Sequence, residues 1–93
     1  MAKVVYEYRL SMKGFQEIEL PVNSKILSVQ FQKDGLYLWA LVNKEPGKYT
    51  QRHIIEMYGT GDDINCEMGV RRNYLATLQS EDNVLHVFEY IGF

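Results

Sequence analysis

Few side chains in this sequence could take part in covalent or metal chemistry, because it contains two histidines and one cysteine. Nucleophilic catalysis needs a nucleophile, a base and an orienting acid that converge in space, and no recognisable motif surrounds His53 or His86. These histidines and Cys66 also lack the spacing of zinc ligands. We therefore expect a non-enzymatic protein with no cofactor and no metal. We interpret His86 as a core or near-core histidine that is hydrogen-bonded to a neighbour.

A second place for chemistry is the glycine turn Gly59-Thr60-Gly61, whose backbone N–H groups could curl around an anion. The turn lacks the third glycine, the lysine and the following helix of nucleotide-binding loops, so the first interpretation is a turn or bulge that ends a strand. Arg71 and Arg72 are interpreted first as a solvated surface pair. In the alternative, the turn and both arginines contact the phosphates of a nucleotide whose base stacks on Tyr74.

Length, charge and cysteine content limit the partners and the compartment. The 93 residues suffice for one domain over residues 1–93, and the formal net charge of −2 argues against the basic footprint of duplex nucleic-acid binding. No apolar stretch is long enough to cross a bilayer, and the N-terminus lacks the apolar core of a signal peptide. A lone cysteine cannot form an internal disulfide, which fits a reducing compartment. Together these features lead us to expect a cytoplasmic protein without a membrane partner.

The elements that would position these residues follow a repeating β pattern. Runs of β-branched and aromatic residues alternate with turn signals, which predicts an all-β fold, or a β-rich fold with one short helical turn in a long loop at residues 64–73. We expect a small sandwich or partly open barrel of about seven mostly antiparallel strands. These strands are predicted at residues 4–10, 15–20, 26–33, 36–42, 51–58, 74–79 and 84–91. Alternation directs four aromatic side chains toward the core: Tyr6, Tyr8, Phe31 and Phe88.

Turn signals indicate which of these strands pair. The segments 11–14 and 80–83 are expected to close hairpins between the first two and the last two strands. Asp34-Gly35 predicts a type I′ turn in a third hairpin. That turn would pair Gln32 with Tyr37 and Gln30 with Trp39 on a mixed face. The wholly apolar opposite face would contain the pairs Phe31–Leu38, Val29–Ala40 and Leu27–Val42.

The strand at residues 36–42 is apolar on both faces, which is typical of a strand covered on both sides. Cover by another part of the chain is the first interpretation, and cover by a partner is the second. In the second case, the aromatic and charge-poor surface would form the centre of a protein interface. The residues of this predicted interface are Tyr37, Trp39, Leu41, Gln30 and Gln32.

Several short segments also occur in a distinctive order. They are Glu19-Leu20-Pro21, Lys25-Ile26-Leu27-Ser28-Val29-Gln30, Leu38-Trp39-Ala40-Leu41-Val42, Gly59-Thr60-Gly61 and His86-Val87-Phe88-Glu89. In this order they resemble a family of short uncharacterised proteins encoded mostly by bacteriophages and prophages. The resemblance covers most of the chain. The sequence departs from the family pattern after Gly61, where a more proline-rich loop is expected, and around residues 65–72.

The resemblance implies a phage origin and expression in the cytoplasm of the bacterial host, and it supplies no catalytic residue. Small phage proteins without a reaction centre commonly act by binding, which is an analogy at the level of the group. We therefore expect a non-enzymatic accessory protein, active in host takeover or against host defence, that binds a host protein or forms a homo-oligomer. The alternative is a small-ligand binder that sequesters a nucleotide-type defence signal at the glycine turn and the two arginines.

Overall fold

The protein folds as seven β-strands without a helix over residues 2–45 and 47–92, the part of the chain that the computed structural model describes. The all-β prediction is therefore confirmed, and these residues include no helix that could span a membrane. The strands are β1 (Lys3–Leu10), β2 (Phe15–Pro21), β3 (Lys25–Gln32), β4 (Gly35–Asn43), β5 (Thr50–Gly59), β6 (Arg71–Ser80) and β7 (Asn83–Gly92).

The strands form two antiparallel sheets that pack as a sandwich and do not close into a barrel. Sheet A has the order β1-β4-β3, and sheet B has the order β2-β5-β7-β6. The predicted hairpin between the first two strands is wrong, because β1 pairs with β4 and β2 pairs with β5. The chain instead crosses between the sheets at residues 11–14. There the Gln16 side chain accepts from the Ser11 N–H at 3.0 Å and donates to the Ser11 carbonyl at 2.8 Å, which satisfies backbone groups outside the ladder.

The predicted hairpin between β3 and β4 is present, but its turn lies one residue earlier. Gln32 pairs with Gly35, so the two-residue loop is Lys33-Asp34. Gly35 has a φ of +152°, and an added Cβ would meet Nη2 of Arg9 at 2.9 Å. A glycine at this position therefore allows both the backbone conformation and the close contact with the Arg9 guanidinium. The register moves by two positions from Ser28 to Gln32, which changes every partner there but keeps these side chains on their predicted faces.

A β-bulge in β3 changes one core position. The register shifts between Ile26 and Ser28, which leaves Leu27 without a paired residue. Leu27 is consequently exposed, whereas Ile26 packs on the core opposite Ala40. The predicted pair of Leu27 with Val42 is therefore wrong.

The core lies between the two sheets. Its fully or nearly buried members are Leu10, Leu20, Val29, Leu36, Leu38, Ala40, Val42, Ile55, Met57, Leu78 and Val87. Tyr8 and Phe31 pack against these residues, as predicted. Tyr6 does not, and it is 50% exposed because β1 is an edge strand while sheet B approaches sheet A at β3 and β4.

The segment between β5 and β6 contains turns and no helix, so the short helical turn allowed by the sequence is absent there. Val70 donates its N–H to the Glu67 carbonyl at 3.0 Å, and Glu67 donates its N–H to Oδ1 of Asn65 at 3.0 Å. The strand β6 then begins three residues earlier than predicted and pairs with β7, which confirms the closing hairpin.

Candidate functional site

The predicted interface residues lie on the outer face of sheet A. Leu36, Leu38, Ala40 and Val42 of β4 enter the core, so the alternate residues of this central strand point away from sheet B. Flanking residues from β1 and β3 complete the surface through their pairing with β4. We call this surface the Trp39 face, and its residues are Tyr37, Trp39, Leu41, Val5, Glu7, Arg9, Ser28 and Gln30.

The rings of the Trp39 face form a connected row. The Tyr37 and Trp39 rings are tilted at 45° with centroids 6.4 Å apart, and the Arg9 guanidinium lies 5.8 Å from the Tyr37 centroid. The Tyr37 hydroxyl donates to Oδ2 of Asp34 at 2.9 Å. This hydrogen bond raises the pKa of the Tyr37 hydroxyl, together with desolvation. The row is therefore held in place by contacts within the sheet and the hairpin turn.

No strand of the described chain lies over the Trp39 face. Sheet A approaches sheet B through β3 with β6 and through β4 with β2, on the core side of β4. The first interpretation was that another part of the chain covers this face, and no strand of the described chain does so. Gln30 lies opposite Tyr37, while Gln32 lies opposite Gly35 at the end of the hairpin and outside the row.

The outer face of sheet B carries a second group of aromatic residues. Ile55 and Met57 enter the core, so Glu56 and Tyr58 point outward. The Phe88 ring meets the rings of Tyr58 and Tyr74 edge-to-face, with centroids 6.1 and 5.7 Å away. Phe88 therefore lies outside the core, contrary to the prediction. We call this surface the aromatic face, and its residues are Glu56, Tyr58, Arg72, Tyr74, Thr77, His86, Phe88 and Tyr90.

Glu56 is a buried carboxylate on the aromatic face, and both of its oxygens are occupied. Arg72 donates from Nε to Oε1 at 2.6 Å, and the Tyr58 hydroxyl donates to Oε2 at 2.8 Å. Burial and the hydrogen bond to Glu56 raise the pKa of the Tyr58 hydroxyl, and the hydrogen bond to Glu56 also raises the pKa of the Arg72 guanidinium. Arg72 also donates to the Asn65 carbonyl at 2.6 Å and lies over the Tyr90 ring. Arg72 therefore joins the loop between β5 and β6 to sheet B. The interpretation of the two arginines as a solvated surface pair is wrong for Arg72, whereas Arg71 is exposed.

The glycine turn ends β5, as its first interpretation predicts. The Gly59 N–H, which would face an anion in the nucleotide alternative, donates to Oδ2 of Asp62 at 2.7 Å. The Asp62 N–H in turn donates to the Gly59 carbonyl at 3.1 Å. A phosphate at this turn would therefore have to displace a carboxylate of the chain itself. Of the six residues in the nucleotide alternative, the structure brings together Thr60, Arg72 and Tyr74 at the aromatic face.

His86 lies on the aromatic face, because the core side of β7 is formed by its neighbours Leu85 and Val87. His86 is therefore not a member of the core, but it is partly buried and hydrogen-bonded to neighbouring side chains, as the interpretation expects. Its Nε2 lies 2.8 Å from the Thr60 hydroxyl, and its Nδ1 lies 3.2 Å from the Thr77 hydroxyl. In the described residues, both ring nitrogens thus have hydroxyl partners and neither has a carboxylate partner. The two threonine hydroxyls therefore hold the His86 ring between β6 and the turn that follows β5.

His53 forms the other polar contact of sheet B, with Glu89. Nδ1 of His53 lies 2.6 Å from Oε2 of Glu89, and both side chains are about 15% exposed. Since a carboxylate accepts, Nδ1 carries the donated proton, and the buried Nε2 has no hydrogen-bond partner among the described residues. Within residues 2–45 and 47–92, no group of three or more His, Cys, Asp or Glu side chains is arranged to hold a metal ion.

Comparison with known protein families identifies one match. Residues 1–92 match the family described as Domain of unknown function (DUF7352). The chain belongs to this family. Neither the curated proteins nor the solved structures include a significant match to this chain. Membership in the DUF7352 family agrees with the resemblance to uncharacterised proteins.

Two parts of the aromatic face in this DUF7352 member were missed by reasoning from the sequence. Glu56 lies within the run from Ile54 to Tyr58, and a carboxylate inside a largely apolar strand needs a partner when it is buried. That pattern could have pointed to a nearby cation, and the cation proves to be Arg72. The Thr77 contact of His86 gave no such signal, because it depends on the register between β6 and β7.

Proposed function

We propose that this chain is a phage-encoded, non-enzymatic accessory protein that binds a host protein through the Trp39 face in the bacterial cytoplasm. The observation that carries the proposal is the row of Tyr37, Trp39 and Leu41 on a central strand, with no strand of the described chain packed over it. Large aromatic side chains flanked by polar ones are the usual centres of binding energy in protein interfaces. The ordered segments that resemble phage proteins support the phage origin.

The chemistry around the row favours a protein over other partners. Glu7 and Arg9 flank it on β1, so the rim carries charges of both signs, as a protein partner of mixed charge requires. A nucleic acid would instead need an excess of cations, and the chain has 10 Lys and Arg against 12 Asp and Glu. Binding would block or redirect the host protein, which is how host takeover or an action against host defence would follow.

The test is a comparison of two alanine variants in the capture of host proteins. We expect the wild-type chain and Tyr74→Ala to retain the same protein from host lysate, because Tyr74 lies on the opposite side of the sandwich. Trp39→Ala should lose it, with an affinity for the purified partner weakened about 30-fold or more. Circular dichroism of each variant checks that the fold is intact.

Two outcomes would contradict the proposal. One is a captured protein that binds Trp39→Ala as tightly as wild type, and the other is a lysate that yields no partner at all. If Trp39→Ala fails to fold, Leu41→Lys places a charge on the same row and serves in its place. A native mass that depends on Trp39 in the purified protein would indicate self-association through this face instead of a host partner.

A second candidate function is the binding of a nucleotide-type defence signal at the aromatic face. The observation in its favour is that Tyr74 is 61% exposed beside Phe88, with the Thr60 and His86 side chains close by. An exposed ring of this kind can stack on a base, and the neighbouring hydroxyl and imidazole groups can bind polar atoms. The engagement of Arg72 with Glu56 makes this the weaker candidate, since Arg71 is then the arginine available to phosphates.

Thermal-shift screening against a nucleotide panel tests this second candidate. A ligand at 100 times its Kd should stabilise the folded state by about 2.7 kcal/mol and raise the melting temperature by several degrees. The shift should disappear in Tyr74→Ala and persist in Trp39→Ala. A panel with no shift, or a shift that survives Tyr74→Ala, would remove this candidate.

A further inference from the structure

The strand β1 is an edge of sheet A with a regular row of backbone groups that no described strand pairs. Its eight residues pair with β4 in one continuous register, without a bulge. Ala2 accepts a hydrogen bond from the Lys44 N–H, so the residue before the strand directs its carbonyl toward β4. Inward and outward backbone groups alternate along an antiparallel strand. The groups of Lys3, Val5, Glu7 and Arg9 therefore point away from the sheet.

The other edges of the two sheets are protected in ways that β1 is not. The strand β3 has a bulge and lies close to β6, which itself has two register shifts. The strand β2 carries Glu17 and Glu19 and ends at Pro21, which has no N–H to donate. Bulges, prolines, covering elements and charged side chains are the usual means by which edge strands avoid pairing with other chains. The charges of β1 are of both signs, Lys3 and Arg9 with Glu7 between them, so they can complement a second copy of the same edge.

The side chains of β1 leave apolar surface on both of its faces. Val5, on the Trp39 face, is 51% exposed, and Tyr6, on the core side, is 50% exposed. Tyr6 belongs to the inner face by alternation but lies beyond the cover of sheet B. A strand added at this edge would bury part of both side chains, as well as satisfying the outward backbone groups.

We propose that β1 pairs antiparallel with β1 of a second copy, about a two-fold axis at Val5. This register sets Val5 against Val5 and Val4 against Tyr6. It also sets Lys3 of each copy opposite Glu7 of the other, so the charges of the edge complement themselves, as an interface between identical surfaces requires. The charge pattern is what selects a second copy as the occupant.

Neighbouring registers fit less well. An axis at Tyr6 would place Lys3 opposite Arg9, and an axis at Glu7 would place two glutamates opposite each other. An axis at Tyr8 would oppose Glu7 and Arg9, but it would have to break the ion pair of Arg9 with Asp34 and its contact with the Tyr37 ring. The axis at Val5 needs only the Lys3 ammonium to exchange or share its hydrogen bond to the Asn23 carbonyl, and it places an opposite-charge pair on each side of an apolar centre.

The dimer would join the two copies of sheet A into one continuous sheet of six strands, ordered β3-β4-β1-β1-β4-β3. A two-fold axis perpendicular to a sheet keeps each face on its own side. The two Trp39 faces would therefore lie side by side on one surface. The inference rests on the edge of β1 and does not require that the Trp39 face binds a host protein.

The first test is the native mass of the purified chain and of Val5→Pro. We expect a dimer for the wild type and a monomer for Val5→Pro, because proline removes an outward N–H while the bonds between β1 and β4 remain. Val5→Thr is the matched control, since it keeps the N–H and a β-branched side chain, and it should remain a dimer. Denaturant unfolding of each variant shows whether the fold is retained.

The second test exchanges the charges and stays informative if Val5→Pro does not fold. Glu7→Lys should weaken dimerisation at least about tenfold because it opposes two lysines. The double variant Lys3→Glu with Glu7→Lys restores the opposite pair and should restore the dimer. Trp39→Ala should leave the native mass unchanged, so failure of this proposal and failure of the proposed function give different results.

Three results would overturn the inference. A wild-type chain that remains monomeric at its highest soluble concentration would do so, and so would a dimer that survives both Val5→Pro and Glu7→Lys. The third is a dimer lost in Glu7→Lys and not recovered in the double variant, because the loss would then not come from the pair of Lys3 with Glu7.

Discussion

Replacement of Arg72 with alanine is expected to lower the free energy of unfolding by about 3 kcal/mol, because it leaves a buried carboxylate without its cation. The side chains of Arg72 and Glu56 are each 11% exposed, and the ion pair that joins them is 2.6 Å long. The variant also loses the hydrogen bond to the Asn65 carbonyl, which holds the loop between β5 and β6 on sheet B. Urea unfolding followed by circular dichroism measures the change.

The matched control is the neighbouring arginine. Arg71 begins the same strand and is exposed, so Arg71→Ala should change the free energy of unfolding by less than about 0.5 kcal/mol. Equal effects of the two variants would contradict the structural role that we assign to Arg72. The comparison also bears on nucleotide binding. A loss of nucleotide affinity in Arg72→Ala indicates a lost contact with phosphate only if the variant remains folded.

Replacement of Leu38 with alanine should cost about 3 to 4 kcal/mol, which is the usual effect of a cavity in a well-packed core. Leu38 is fully buried on the core side of β4, between the two sheets. The effect should appear as a lower midpoint of urea unfolding with an unchanged slope, because the surface exposed on unfolding stays nearly the same.

Leu41 provides the matched control, because it is a leucine on the same strand with its side chain on the opposite face. We expect Leu41→Ala to cost less than about 1 kcal/mol in the purified protein, since no strand of the described chain packs over this residue. A cost similar to that of Leu38→Ala would mean that the Trp39 face is covered within the assembly as purified. The native mass of the variant then shows whether a second copy supplies that cover.

The positions of the strands could be predicted because they depend on local alternation and turn chemistry. β2 illustrates the limit of this information: it alternates clearly from Phe15 to Leu20, yet alternation does not say which strand lies beside it. Adjacent strands with a short connection favour a hairpin, and here a side-chain clamp from Gln16 allows the chain to cross to the other sheet instead. Pairing is a non-local property, and it was predicted correctly only where a tight turn determined it.

The two outer faces differ in how far the sequence indicated them. Alternation along β4 places Tyr37 and Trp39 on a common face. The prediction holds although the hairpin register differs by two residues, because a shift of two leaves each residue on the same side of the sheet. His86 was assigned to the wrong side, since β7 carries aromatic or apolar residues on both of its faces and alternation gives no clear choice. The contact between Glu56 and Arg72 joins residues from β5 and β6, which are not adjacent in sheet B, so it depends on the fold itself.

Trp39 is the only tryptophan of the chain and lies on the outer face of sheet A. Its indole therefore gives the protein a fluorescence signal that originates from one surface and from no other part of the molecule. A partner that covers this surface would remove water from the indole and shift its emission to shorter wavelengths, while an event confined to the aromatic face would leave the emission unchanged. The protein can thus report optically which side of its sandwich is occupied, without any added label.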